Sequence, residues 1–506
     1  MEYSKLKSGT DIRGVAVEGV PGEPVTLTDE VVEAIGAAFL VWCERHLSKA
    51  AAGLKLAVGH DSRISADRIS AALQRVFVRY GVQVLDCGLA STPSMFWATV
   101  DLPCDCSVQI TASHHPYHRN GLKFFTPQGG LDSPDITEIL SLAQEGVHPA
   151  GEASGTVEPC SYRKDYAARL RKTIQEGVQA QDYDHPLAGF HIVVDAGNGA
   201  GGFYATEVLE PLGADVSGSQ FLEPDGMFPN HVPNPENQEA MASICQAVQA
   251  AGADLGVIFD TDVDRGAAVD SLGEEISRNR LVALASAIAL EGNPGGTIVT
   301  DSITSDGLKE YIEETLGGHH HRFKRGYKNV INEAIRLNQE GVNCPLAIET
   351  SGHAAMRENR FLDDGAYVVT KILIQMASLR KEGKDLNDLL APLREPAEAA
   401  EVRLPILEED FRARGEQLIS ALETYAGEQG WAIAPDNREG LRVSFPAGQG
   451  DGWFLLRLSV HDPILPVNFE SDSTGGNREI AEKLLAFLEQ HGQGVDIAPL
   501  ENFVRS

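Results

Sequence analysis

Leu255-Gly256-Val257-Ile258-Phe259-Asp260-Thr261-Asp262-Val263-Asp264-Arg265-Gly266 is a short apolar run that breaks abruptly into alternating carboxylates. A helical pattern, roughly Glu239 to Ala251, precedes it. The order of apolar run, Gly/Asp turn and amphipathic helix occurs in three stretches of the chain. Leu54 to Val58 runs into Gly59-His60-Asp61-Ser62-Arg63, with a helical pattern to about Tyr80. Val82 to Leu85 and Cys106 to Ile110 are further strand candidates there. Ile192 to Asp195 runs into Ala196-Gly197-Asn198-Gly199, then a helix, then the pattern quoted first. Thr297 to Thr300 runs into Asp301, a helix over Asp306 to Thr315, and the strand Leu346 to Ile348. Strands alternating with helices imply parallel βαβ units. In such sheets the chemistry gathers at the strand C-terminal ends. Past Ala391 to Arg403, a Pro-containing stretch read as a hinge, the pattern changes. A helix over Phe411 to Gln429, strands at Leu441 to Phe445, Trp453 to Ser459 and Leu465 to Glu470, and a helix over Arg478 to His491 describe a small α+β domain.

The chain has 506 residues, enough for three to five domains at about 100–200 residues each. Its formal charge of −31 argues against nucleic-acid partners and anionic membrane surfaces, which need a basic footprint. The longest apolar run, Leu281 to Leu290, fits a buried helix rather than a membrane span. Seven scattered cysteines read as reduced thiols, with Cys104 and Cys106 a structural pair. Residues 1–14 lack the apolar core of a signal peptide. The expectation is a cytoplasmic, soluble protein.

Four stretches carry candidate chemistry. In Thr111-Ala112-Ser113-His114-His115-Pro116, a Ser at a strand-end turn among small residues and imidazoles suits an exposed nucleophile or phosphate carrier, and Asn120-Gly121-Leu122-Lys123 brings a cation. The alternative is an ordinary polar turn. Asp260, Asp262 and Asp264 offer hard oxygens without Cys or His, which favours Mg²⁺ over zinc, and Arg265 adds a guanidinium that can fork to phosphate. Strand-then-Asp-x-Asp also suits a Mg²⁺-dependent phosphatase with Asp260 as nucleophile. Glu349-Thr350-Ser351-Gly352-His353 suits vicinal sugar hydroxyls, with His353 a proton shuttle; Ser351 could instead cap a helix. In Arg457-Leu458-Ser459-Val460-His461-Asp462-Pro463, alternation puts Arg457, Ser459 and His461 on one face, as a phosphate cradle or a half-exposed strand. Ser8 to Gly14 reads as a Gly-bracketed loop bearing Arg13, Arg322 to Lys328 as a basic cluster, and His319-His320-His321 as a loop.

Taken in order, these motifs resemble the α-D-phosphohexomutases, the phosphoglucomutase and phosphomannomutase family, over nearly the whole chain. Val194 to Gly199 and Pro224-Asp225-Gly226 with Phe228-Pro229 fit the same pattern. There are departures: Thr261 and Ile348 stand where the family usually has Gly, Val460-His461-Asp462 replaces Gly-Thr-Glu, and Pro466 replaces a common Arg. The resemblance implies three consecutive mixed α/β/α sandwich domains, residues 1–160, 161–276 and 277–396, plus a C-terminal α+β domain, 397–506, around a central cleft. It implies a hexose 1-phosphate/6-phosphate mutase for glucose and/or mannose, with phosphoglucosamine as a variant substrate. Ser113 is then the phosphoserine, and it shares one Mg²⁺ with Asp260, Asp262 and Asp264. Lys123, Arg13 and His353 handle protons and charge. Arg265, Lys328, Glu349, Ser351, Arg457, Ser459 and His461 bind substrate. Hexose 1,6-bisphosphate is the activator, and the partners are sugar phosphates, with a monomer or small homo-oligomer.

Overall fold

The computed structural model describes residues 2–459 and 462–505. The chain forms two compact units: Met1–Ile288 with Ser351–Leu389, and Ala289–Thr350 with Leu390–Ser506.

The first unit opens with β1 (Lys7–Ser8), β2 (Asp11–Val15), β3 (Lys55–His60), β4 (Gln83–Leu89), β5 (Cys106–Ile110), β6 (Arg119–Thr126), β7 (Gly129–Gly130) and β8 (Thr156–Pro159). Their order is β1-β2-β6-β5-β3-β4-β8, with β7 on β6. The expected parallel units are β5-β3-β4-β8. The other half is antiparallel, because β6 folds straight back on β5 after a short turn. Ser8 to Gly14 is accordingly two strands and a tight turn rather than a loop. Helices Asp29–Leu47, Ala66–Arg79, Thr92–Asp101 and Ser133–Glu145 cover the sheet, whose central strands are buried apolar runs. The side chain of Thr28 caps the first of these helices and Ser91 the third.

A second sheet follows, β9 (Ile192–Asp195), β10 (Leu255–Phe259), β11 (Gly266–Val269) and β12 (Glu275–Ile276), ordered β12-β11-β10-β9. β9 and β10 are parallel, and the carboxylate stretch is the hairpin between β10 and β11.

In the second unit β13 (Thr297–Thr300) lies between β14 (His319–Arg322) and β15 (Leu346–Ile348), all parallel. The triple-His run, expected as a loop, is therefore an edge strand, and Arg322 at its end is buried, paired with Asp306 and Asp436. The hairpin β16 (Ala354–Met356) and β17 (Leu362–Asp363), with the helix Gly365–Lys381, belongs to the first unit. A strand rather than a helix follows Ser351, so the capping alternative for that residue falls away.

The chain ends in β18 (Glu398–Pro405), β19 (Ala432–Ile433), β20 (Leu441–Phe445), β21 (Gly452–Leu456) and β22 (Ile464–Ser471), in the antiparallel order β18-β22-β21-β20-β19. Helices Phe411–Glu428 and Gly476–His491 pack on it around Leu418, Leu422, Phe454, Phe469 and Phe487. The second half of the stretch read as a hinge, from Glu398 on, belongs to β18, which is paired along its full length with β22. Its alternation is masked by two Ala and two Glu in its first half, since an edge strand needs apolar residues on only one face. β21 stops at Leu456, so Arg457 and Ser459 lie just past the strand; His461 is outside the described residues. All seven cysteines are free thiols. Among the described residues no helix is long and apolar enough to cross a membrane.

Candidate active site

Ser113 sits in the turn after β5, almost fully buried, with a positive φ of 51°. Its Oγ donates to Asp260 Oδ2 at 2.8 Å, and His114 Nδ1 lies 3.3 Å from the same Oγ. Two strand ends make this meeting possible: β5 delivers the Ser and β10 the Asp.

Asp260, Asp262 and Asp264 each place a carboxylate oxygen within 4.8 Å of the others, and all three are buried. The alternation with Thr261 and Val263 does this only because the hairpin is tight, with Val263 at φ 68°, a conformation that β-branched residues rarely adopt. The start of the helix Gly365–Lys381 braces it: Gly365 N donates to Val263 O at 3.1 Å. A Cβ at Gly365 would stand 2.4 Å from the Arg265 carbonyl carbon, so only Gly fits.

One face of the cluster is already neutralised. Lys123 Nζ, from β6, pairs with Asp262 Oδ2 at 2.9 Å and with Asp264 Oδ2. Lys123 reaches them because Gly121 lets β6 run close to β2 and to Thr111; a Cβ there would be 2.4 Å from Ile12 O and 2.7 Å from Thr111 O. Thr92 Oγ1 also donates to Asp262 Oδ2. The other face is not satisfied: Asp262 Oδ1 and Asp264 Oδ1 are buried with no hydrogen-bond partner among the described residues. Burial and the neighbouring charges of Asp264 and Asp262 push the Asp260 carboxyl well up. Asp264, despite burial, is held below the usual range by Lys123, His353 and Arg265. A compact set of hard oxygens, with two orphaned and a third unwilling to ionise, fits a divalent cation. Thr261 Oγ1 is likewise buried with no partner among the described residues.

Arg265 Nε donates to His353 Nε2 at 2.9 Å, and Nη1 to Glu236 at 3.2 Å. His353 Nδ1 is 2.5 Å from Asp363 Oδ2. Asp363 thus fixes the tautomer with the proton on Nδ1, leaving Nε2 an acceptor. The Arg265 charge, with burial, keeps the His114 imidazole neutral; burial and the Arg13 charge bring His115 down to about 3. Arg13 is paired with Asp11 at 2.8 Å and faces Gly121 across the β2–β6 ladder. Ser351 Oγ is buried with no partner among the described residues.

The second unit holds the remaining substrate candidates. Glu349 accepts from Gly326 N at 2.6 Å, at the start of the helix Tyr327–Gln339 whose first turn carries Lys328. Arg457 is half-buried and forms no ion pair among the described residues; burial and the nearby Arg325 charge pull its guanidinium down. Glu439 receives Arg325 N at 3.1 Å and the Ser302 hydroxyl.

The structure therefore brings Ser113, Lys123, Asp260, Asp262, Asp264, Arg265 and His353 together within the first unit. Sequence reasoning did not single out Thr92, Asp363, Asp61 or Arg63 for the site. Asp61-x-Arg63 at a strand end was the one visible signal.

Family models match most of the chain. Those for phosphoglucomutase/phosphomannomutase α/β/α domains I, II and III match residues 5–147, 165–273 and 277–396. A phosphoglucomutase/phosphomannomutase of Thermococcus kodakarensis is 30% identical over 97% of this chain and 100% of its own. A phosphoglucomutase of Neisseria gonorrhoeae is 29% identical over 94% and 96%. The crystal structure of a phosphoglucomutase/phosphomannomutase family protein from Burkholderia thailandensis superposes with a TM-score of 0.80 at 27% identity, covering 98% of this chain and 99% of that one. The protein is an enzyme of the isomerase class, built from three α/β/α domains and a fourth C-terminal domain. It belongs to the phosphoglucomutase/phosphomannomutase family.

Proposed function

We propose that this enzyme interconverts hexose 1-phosphates and hexose 6-phosphates, of glucose and/or mannose, through a phosphoserine at Ser113 and a hexose 1,6-bisphosphate intermediate. The observation that carries this is the Ser113 hydroxyl hydrogen-bonded into a buried three-carboxylate cluster, two of whose oxygens have no hydrogen-bond partner among the described residues. Asp260, Asp262, Asp264 and the Ser113 oxygen would hold Mg²⁺, which when bound neutralises charge on the transferring phosphoryl group.

In the forward half-reaction the bond from phosphorus to Ser113 Oγ breaks and one to a sugar oxygen forms, and the turnover returns one proton to the Ser113 oxygen, restoring the hydroxyl that donates to Asp260. The sugar hydroxyl gives up its proton. His353 Nε2 takes it in this proposal: Asp363 holds the ring in the required tautomer, and Arg265 leaves Nε2 as its fork engages phosphate. Lys123 and Arg13 are fixed cations beside the reacting group. Glu349 and Ser351 are assigned to sugar hydroxyls, and Lys328, Arg457, Ser459 and His461 to the sugar or its non-reacting phosphate. The bisphosphate then turns over, returns its other phosphate to Ser113, and serves as activator. Glucose and mannose are favoured over glucosamine because the relatives at 29–30% identity are named for glucose or for both.

A coupled assay with Mg²⁺ and a trace of glucose 1,6-bisphosphate, offering glucose 1-phosphate and mannose 1-phosphate separately while following free phosphate, tests this. Isomerisation without phosphate release, lost in Ser113→Ala, is the expected result. Phosphate release that survives Ser113→Ala would instead make Asp260 the nucleophile of a phosphatase.

A further inference from the structure

We propose that Arg63, acting with Asp61 and Thr111, is the positioning group that fixes Ser113 for phosphoryl transfer; the inference rests on the phosphoserine reading above. The Arg63 side chain is completely buried, and every N–H of its guanidinium is used. Nε donates to Asp61 Oδ2 at 3.2 Å. Nη1 donates to the carbonyls of Pro116 at 2.7 Å and Arg119 at 2.9 Å. Nη2 donates to the carbonyls of His115, at 2.6 Å, and Ser113. Four carbonyls of one loop thus converge on one cation, whose other neighbour is the ring of Phe228, 5.2 Å away.

The other end of Ser113 is held by the same device. Its backbone N–H donates to Thr111 Oγ1 at 2.9 Å, and that hydroxyl donates to Asp61 Oδ2 at 2.7 Å. Asp61 in turn accepts Arg63 N on Oδ1 at 2.9 Å. The nucleophile is therefore gripped at both its N–H and its C=O, through a carboxylate and a guanidinium two residues apart at the end of β3.

A grip of this kind has a specific task here. Ser113 holds a left-handed backbone conformation, which an L residue other than Gly adopts only when its surroundings impose it. That conformation decides where Oγ points, and Oγ points at Asp260. Arg63 touches no reacting atom, so its effect is on the geometry of attack and on the charge behind a loop that must carry a phosphoryl group. A Lys in its place keeps the charge but brings three donors on a single atom, and cannot bridge four carbonyls.

Arg63→Lys in the full-length protein, assayed with Mg²⁺, glucose 1-phosphate and a trace of glucose 1,6-bisphosphate, separates positioning from mere support. The expected result is a kcat lowered at least about 30-fold, with KM changed less than about threefold and a folded far-UV spectrum. The rate at which glucose 1,6-bisphosphate phosphorylates Ser113, followed by intact mass, falls with it. A folded Arg63→Lys protein with undiminished kcat, whatever its melting temperature, overturns the proposal. If that variant does not fold, Thr111→Val is read instead: kcat falls with KM kept and Thr111→Ser restores it, whereas full kcat in Thr111→Val overturns the proposal. A wild-type protein that takes up no phosphoryl group at Ser113 sinks the phosphoserine reading itself, independently of any variant.

Discussion

Lys123 is the cation that makes three buried carboxylates tolerable. Its side chain is 5% exposed and its amine pairs with two of them. Removing one partner of a buried pair leaves uncompensated charge and costs about 3–5 kcal/mol. Lys123→Met should therefore melt well below the wild type in EDTA, and added Mg²⁺ should recover more of the loss than it adds to the wild type, as thermal melts at two metal concentrations will show. Glu470 makes the opposite kind of statement. Burial, against the Arg442 charge, raises its carboxyl to about 7, and Trp453 Nε1 donates to it at 3.2 Å. The folded state holds a proton that the unfolded chain gives up near pH 4.5, so this group's contribution is full at low pH and is lost as pH climbs towards 7. Between pH 5 and 8 the wild type should lose on the order of 2 kcal/mol more than Glu470→Gln, measured by urea unfolding at both pH values. At this scale Ser113 and the three Asp were legible because each motif is contiguous, a strand end plus a turn. Thr92 and Asp363 were not: Thr92 meets Asp262 across 170 residues, and nothing local in Ser91-Thr92-Pro93 distinguishes a carboxylate brace from a helix start.

The hairpin between β10 and β11 shows how an element borrows its geometry from another. Val263 is held at φ 68° with its carbonyl accepting from Gly365, the first residue of the helix Gly365–Lys381. Gly365→Ala would press a methyl group against the Arg265 backbone. Overpacking of this kind costs about 1–3 kcal/mol, and here the strain falls on the carboxylate cluster. The expected outcome is a lower melting temperature together with weaker Mg²⁺ activation, the latter read from activity against metal concentration; unchanged metal activation would show that the helix does not brace the loop. The βαβ segments were readable because buried parallel strands are continuous apolar runs, as in Leu255–Phe259. β6 and β18 were not read as strands. β6 begins in Arg119-Asn120-Gly121, which reads as a turn, and β18 carries Glu398 and Glu401. In both, pairing is decided by a partner strand rather than by local propensity.

Across the whole molecule, charge and connectivity make separate demands. With 73 acidic against 42 basic residues the compact state repels itself, and some of its few cations are committed to buried pairs: Arg63 under the nucleophile loop, Lys123 against the Asp cluster, Arg322 and Arg442 on Asp306. The chain crosses between its two compact units three times, yet Ser113, Asp260, Asp262 and Asp264 all lie in the first, while Glu470 lies in the second. Molecules of this size with distinct cores do not melt as one two-state system. Calorimetry should resolve two transitions. A ligand that binds one folded unit raises that unit's transition alone, so Mg²⁺ should move the first unit's transition and Glu470→Gln, at pH 8, the second's. One transition displaced as a whole by both perturbations would mean that the units unfold together, and the separation of metal site from C-terminal domain would have no thermodynamic counterpart.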